Sequence, residues 1–173
     1  MSDPAPDQYP ASLNIALLLA QCEIRRTRRS GPGGQHRNKV ETAVVIVHTP
    51  TGIKGEASER RSQDLNRQQA IQRLRVNLAL GVRCPQRVGE MPSPLWQSRA
   101  RGGKISVSGE HEDYPALLAE ALDMLANCDE HLPAAADRLE VSASQLTKFL
   151  KQQPHALAQL NATRRERGLR PLQ

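Results

Sequence analysis

The clearest strand pattern in the chain is VETAVVIVH at 40–48, rich in β-branched residues, with Ala43, Val45 and Val47 on one face and Val44 and Ile46 on the other. Apolar residues on both faces predict a central, covered strand. TPTG at 49–52 has the composition of a tight turn, and IKGEA at 53–57 predicts the returning strand of a hairpin. Upstream, CEIRRTR at 22–28 predicts a strand running into a glycine-rich loop. Before it, Leu13, Leu17 and Ala20 recur at helical spacing and predict a short helix over 11–21 capped by Ser12. From Ser62 the period lengthens. Leu65, Ile71, Leu74 and Leu78 predict a helix over 62–80, capped by Ser62 and ended by Gly81, with Arg67, Arg73 and Arg75 on its more exposed side.

Gly81, Pro85, Pro92, Pro94 and the Gly102-Gly103 pair punctuate the next stretch, and KISVS at 104–108 predicts one short strand. A helical pattern follows. Pro115 opens a helix whose apolar face is Leu117, Leu118, Ala121, Leu122 and Leu125. AAADRLEVSASQLTKFL at 134–150 reads as helix, short turn, helix, with Ser142 capping the second, and a last helix spans 155–167. The predicted fold class is therefore α+β. A small mixed unit (strand, loop, β-hairpin, helix) over 12–80 precedes an all-helical module with a helix-turn-helix pattern over 110–173. Residues 1–11 are expected to be a disordered lead, and 81–109 a linker or irregular cover.

Charge changes the picture more than composition does. The formal net charge is +6, but residues 1–109 carry net +9, residues 110–137 carry net −8 with no Lys or Arg, and residues 138–173 carry net +5. A basic first part favours a polyanionic partner, above all nucleic acid. The aromatic residues are Tyr9, Trp96, Tyr114 and Phe149, too few for base-stacking platforms, so binding is expected to go to phosphates and shape and to weaken with salt. Cys22, Cys84 and Cys128 are scattered and no His/Cys spacing forms a zinc site, so neither a metal nor another cofactor is expected. His111-Glu112 begins like a metalloprotease motif, but Pro115 stands where the second histidine belongs. No apolar run is long enough to span a bilayer, and the acidic, proline-rich MSDPAPDQYPAS is no secretory signal, so the expected location is the cytoplasm.

The candidate chemistry lies in RSGPGGQHRNKVETA at 29–43. No glycine here is followed by Lys and a hydroxyl residue as a phosphate-binding loop requires, and the third glycine of a dinucleotide fingerprint is missing. Taken alone, the loop fits a glycine-rich surface turn with Gln35 incidental. Its surroundings weigh against that reading: GPGGQHRNKVETAV is followed by TPTGI, then ERRSQ, then NR, all within one strand–hairpin–helix unit. On these residues, about 12–80, the chain resembles the catalytic domain of class I peptide chain release factors and their codon-independent ribosome-rescue relatives. Arg29 replaces the family's usual small residue and Arg37 its usual valine or isoleucine; both add charge and leave the Gly-Gly-Gln core intact.

The resemblance implies hydrolysis of the ester joining peptide to tRNA in the ribosomal peptidyl-transferase centre, with Gly33, Gly34 and Gln35 as the catalytic group. It implies ribosomal RNA and peptidyl-tRNA as partners. Arg25, Arg26, Arg28, Arg29, Arg37 and Lys39 around the loop, and Arg60, Arg61 and Arg67 from a second motif that includes Glu59, Ser62, Gln63 and Asn66, become RNA-contact candidates. The alternative for the last three is a solvated face. No stretch resembles a stop-codon-reading domain, and ATRRERGLRPLQ is a short, weakly basic end. Release without codon recognition is the expectation, with the helical module docking to the ribosome or to a protein partner. A non-catalytic RNA-binding or helix-turn-helix regulatory module is the competing reading. Ser144, Gln145, Lys148 and Lys151 are weakly basic for a recognition helix, and the acidic 110–137 segment argues against DNA.

Overall fold

The computed structural model describes residues 9–27 and 42–173, apart from the side chain of Gln86. The fold is α+β. A 3-10 turn at Pro10–Ser12 leads into α1 (Ile15–Ala20), β1 (Cys22–Thr27), β2 (Ala43–His48), β3 (Lys54–Ala57) and α2 (Gln63–Gly81). A second 3-10 turn at Pro85–Glu90, α3 (Pro94–Arg99), β4 (Ala100–Arg101) and β5 (Lys104–Ile105) follow. The chain ends with α4 (Tyr114–Asn127), α5 (Leu132–Arg138), α6 (Ala143–Lys151) and α7 (Pro154–Glu166). The first three strands form an antiparallel sheet in the order β1-β2-β3, with Thr27 opposite Ala43, Val44 opposite Ala57 and Ile46 opposite Gly55.

β2 is the central strand, but only one of its faces is fully covered. Val44 and Ile46 are buried under α2, whereas Val45 and Val47 are half-buried. α2 lies close on that face: a Cβ on Gly55 would stand 2.2 Å from the Ala70 carbonyl oxygen and 2.3 Å from the Leu74 nitrogen. Only glycine allows this approach. The narrow gap also explains why the helix presents Asn66, Ala70, Leu74 and Leu78 inward while Leu65 stays 51% exposed. The outer edge of β3 is closed by the helix, since Arg73 donates to the Glu56 carbonyl at 2.8 Å and Asn77 to that of Lys54 at 2.8 Å. Such capping protects an edge strand from pairing with another chain.

Two local expectations change. Asn14, not Ser12, caps α1, accepting from the Ala16 N–H, while the Ser12 hydroxyl turns back to the Tyr9 carbonyl. Arg75 is buried rather than exposed: α2 is covered on its far side by α4 and the N-terminal strap, and the guanidinium joins the Ala11 and Glu112 carbonyls at 3.0 and 2.7 Å. The acidic 110–137 segment also carries part of its charge into the interior. Glu120, Asp123 and Glu130 are buried.

The first two of those carboxylates bind the N-terminal strap and the segment between α2 and α3. Asp123 Oδ2 accepts from the Tyr9 hydroxyl and the Cys84 N–H, each at 2.7 Å, and Glu120 accepts from the Ser93 N–H and hydroxyl at 2.7 and 2.6 Å. Burial raises the pKa of both, against the lowering effect of these hydrogen bonds and nearby arginines. Burial likewise pushes the neighbouring Cys84 thiol up to about 11, which leaves it an unreactive core residue. Trp96 is wholly buried, meets Phe149 edge-on and donates to the Leu139 carbonyl at 2.8 Å. One buried apolar cluster thus runs from Tyr9 through α2 and α4 to Leu160.

Candidate functional site

Gly33, Gly34 and Gln35, with Arg28, Arg29, Arg37 and Lys39, lie outside the described residues. The structure describes the base from which that segment springs. Thr27 and Ala43 are opposed across the β1–β2 ladder, so the segment leaves and re-enters the sheet at one end of this pair. Asn66 holds that end. It is fully buried, and its Nδ2 donates to the Thr42 carbonyl at 2.7 Å and the Arg60 carbonyl at 2.9 Å, while its Oδ1 accepts from the Arg60 N–H at 2.9 Å. One side-chain amide therefore joins the loop's return point, the turn before α2 and the helix itself. Asn66 was legible in the sequence only as a member of the second motif. A further signal was its type, a poor interior helix former placed on the buried side.

The hairpin is fixed at its other end by His48. The buried ring lies 2.8 Å from Thr51 Oγ1 and 3.0 Å from Gln21 Oε1, and burial lowers its pKa. The Ser62 hydroxyl caps α2 through the Leu65 N–H, as its position in the motif predicts. Glu59 is held ionised, with its pKa lowered to about 2 by the hydrogen bonds from Arg73 and from backbone N–H groups. It is a structural acceptor and no base at neutral pH.

The arginines divide into engaged and free. Arg25 is fully exposed and forms a two-point pair with Glu23 at 3.0 and 2.9 Å, on the sheet face away from α2. That pairing raises the Arg25 pKa and lowers that of Glu23. Arg26 points to the α2 side and shares a cleft of about 560 Å³ with Arg67, Ile24, Gln63 and Asp64. Arg60 and Arg61 are exposed in the turn that Asn66 fixes. Among the described residues, the side chains of Arg26, Arg60, Arg61 and Arg67 have no hydrogen-bond or ion-pair partner. Unpaired guanidiniums around one strand end form a surface suited to phosphate oxygens.

Residues 11–101, more than half of the chain, match the family described as the RF-1 domain. The chain belongs to that family. Among curated proteins it is similar to peptide chain release factor 1 of Acidovorax sp. (strain JS42), 44% identical over 75 residues, 43% of this chain and 20% of the relative. That of Verminephrobacter eiseniae (strain EF01-2) is 47% identical over 75 residues, again 43% and 20%. The mitochondrial peptide chain release factor 1-like protein of Rattus norvegicus is 42% identical over 69 residues, 40% of this chain and 18% of the relative. The chain thus matches about a fifth of the length of these relatives. Among the described residues, no helix is long and apolar enough to cross a membrane.

Proposed function

We propose that the protein hydrolyses the ester of peptidyl-tRNA in the ribosomal peptidyl-transferase centre, without reading a codon, and so frees stalled ribosomes in the cytoplasm. The observation that carries this reading is the Gly33-Gly34-Gln35 run in its full motif, set on a strand end clamped by Asn66 and flanked by unpaired arginines. The Gln35 amide does not titrate near neutral pH and is no general base. It orients the attacking water by hydrogen bonds, and its backbone N–H donates to charge developing on the oxyanion or the leaving oxygen. Gly33 and Gly34 allow backbone conformations that other residues resist and present no Cβ to packed RNA. Arg26, Arg60, Arg61 and Arg67, with Arg28, Arg29, Arg37 and Lys39 of the loop, hold phosphates; Arg25 joins them by exchanging Glu23 for a phosphate.

The test is peptide release from purified ribosomes stalled with peptidyl-tRNA, on intact and truncated messages, with and without a stop codon in the A site. Release above background that ignores the stop codon is expected. Ribosome binding without release on any of these complexes would refute catalysis and leave a non-catalytic RNA-binding module.

A further inference from the structure

Most free cations of the described chain fall into two sets, and the loop accounts for only one. The second lies on the β4–β5 hairpin and α6. Arg101 and Lys104 are directly opposed across the hairpin and exposed, while Ile105 turns into the core. Gly102 and Gly103, with φ of +56° and +72°, make the two-residue turn between them. The Gly103 carbonyl accepts from the Ser142 N–H at 2.9 Å, and Gly103 forms a parallel bridge with Val141. The hairpin is therefore fixed to the turn that starts α6, in the manner of a wing beside a helix-turn-helix.

On α6, Ser144, Lys148 and Lys151 recur at helical spacing and are exposed. Lys148 also lines a groove of about 430 Å³ between α6 and the chain after β5, with Ser106, Ser108, Gln145 and Gln152. No carboxylate lines that groove. Arg99, at the hairpin's base, is paired with Asp113 at 2.6 Å, but Arg101, Lys104, Lys148 and Lys151 have no ion-pair or hydrogen-bond partner among the described residues. Glu140, in the turn before α6, and Glu110, after β5, are the exposed acids nearest in sequence, and neither is ion-paired to these cations. Two cations opposed across a hairpin repel one another, and no internal acid relieves them.

We propose that the β4–β5 hairpin and α6 together form a second RNA-binding face, which grips the phosphate backbone of structured RNA. Charge complementarity selects a polyanion. The buried state of Trp96, Tyr114 and Phe149 removes stacking platforms from this half of the molecule, so contact is to backbone and shape. Exposed serine hydroxyls beside the lysines suit phosphate and 2′-hydroxyl groups. The choice of RNA over duplex DNA rests on the release reading above, whose substrate is ribosomal. On that reading the face is a docking element built on elements other than the β1–β2 strand end from which the loop segment leaves.

The experiment compares the full chain with an Arg101→Ala, Lys104→Ala, Lys148→Ala variant. Binding is measured by fluorescence anisotropy against an RNA duplex of about 20 base pairs, the matching DNA duplex and purified ribosomes, across salt. The variant is expected to bind RNA and ribosomes about tenfold more weakly, with a salt slope shallower by about two to three units. Release at saturating protein should be unchanged. Lys148→Arg should restore most of that one residue's share, and a circular-dichroism melt checks that the fold is intact. Unchanged RNA affinity and salt slope, or tighter binding of the wild type to DNA than to RNA, would overturn the proposal. A wild-type chain that binds RNA through this face but releases no peptide would sink the release reading and leave the face standing.

Discussion

Replacing Asn66 by alanine removes one amide but strips three partners at once. The Thr42 carbonyl loses a donor at 2.7 Å, and the Arg60 carbonyl and N–H lose partners at 2.9 Å each. The side chain is fully buried, so no water takes its place without rearrangement. At about 1 kcal/mol net per hydrogen bond the loss is about 2–3 kcal/mol, or about 5–10 °C in Tm for a chain of this size. Asn66→Asp separates hydrogen bonding from packing. Its volume is conserved, but a carboxylate would face two carbonyl oxygens and keep only the Arg60 N–H. That raises the aspartate pKa in the folded state, so the folded form binds the proton more tightly and stability falls as pH rises through that pKa. Asn66→Asp should therefore be no more stable than Asn66→Ala at pH 8 and regain stability towards pH 5. The assay is urea unfolding of the three proteins at both pH values, alongside peptide release. Release should fall in both variants by more than ribosome binding does, because the amide anchors the loop's return point directly, whereas among the phosphate contacts it fixes only the turn of Arg60 and Arg61 and makes no bond to Arg26. An Asn66→Ala midpoint within 0.5 kcal/mol of wild type, or an Asn66→Asp protein as stable as wild type at pH 8, would refute the clamp.

Gly55→Ala should destabilise by about 3 kcal/mol or more, since its Cβ would collide with the α2 backbone. By contrast, Gly89→Ala, with nothing within 4 Å of the new Cβ, should leave the urea midpoint unchanged or slightly raised. Gly34→Ala should reduce the rate of peptide release more than Gln35→Ala; equal or reversed losses would count against a backbone-centred role for the loop. Because burial raises the Glu120 pKa, the stability tied to its protonated form is present at low pH and lost as pH rises through the folded pKa. Glu120→Gln keeps the Ser93 N–H bond through its amide oxygen, and its amide nitrogen donates to Ser93 Oγ where the carboxylate accepted, so it should stay within about 1 kcal/mol of wild type at pH 7. Its urea midpoint should also fall less between pH 5 and pH 7.5; parallel profiles would refute the burial argument.

The β2–β3 hairpin, the Ser62 cap and the paired helices α5 and α6 were legible in the sequence because each is written in local residues: β-branched alternation, a proline-to-glycine turn, capping serines. Arg75, Glu120 and Asp123 were not. Their charge suggests exposure, and what buries them is contact with segments 27 to 114 residues away that periodicity does not encode. The hairpin fixed to α6 was hidden for a related reason. Gly102-Gly103 predicts a turn, but its bond to Ser142 exists only in the folded chain. For the candidate site, the motif named the residues and the structure supplied the clamp beneath them.

The Tyr9–Asp123 hydrogen bond and the span of Arg75 between Ala11 and Glu112 have a consequence for synthesis. A nascent chain emerges in order; the Tyr9 hydroxyl of the strap that precedes the loop finds its acceptor on Asp123, and Arg75, which donates to the strap's Ala11 carbonyl, finds its second acceptor on Glu112. Until α4 has left the ribosome, α2 lacks the cover over its second face and the frame that presents the loop is incomplete. The half of the protein made first is thus finished last, when its own translation is well advanced.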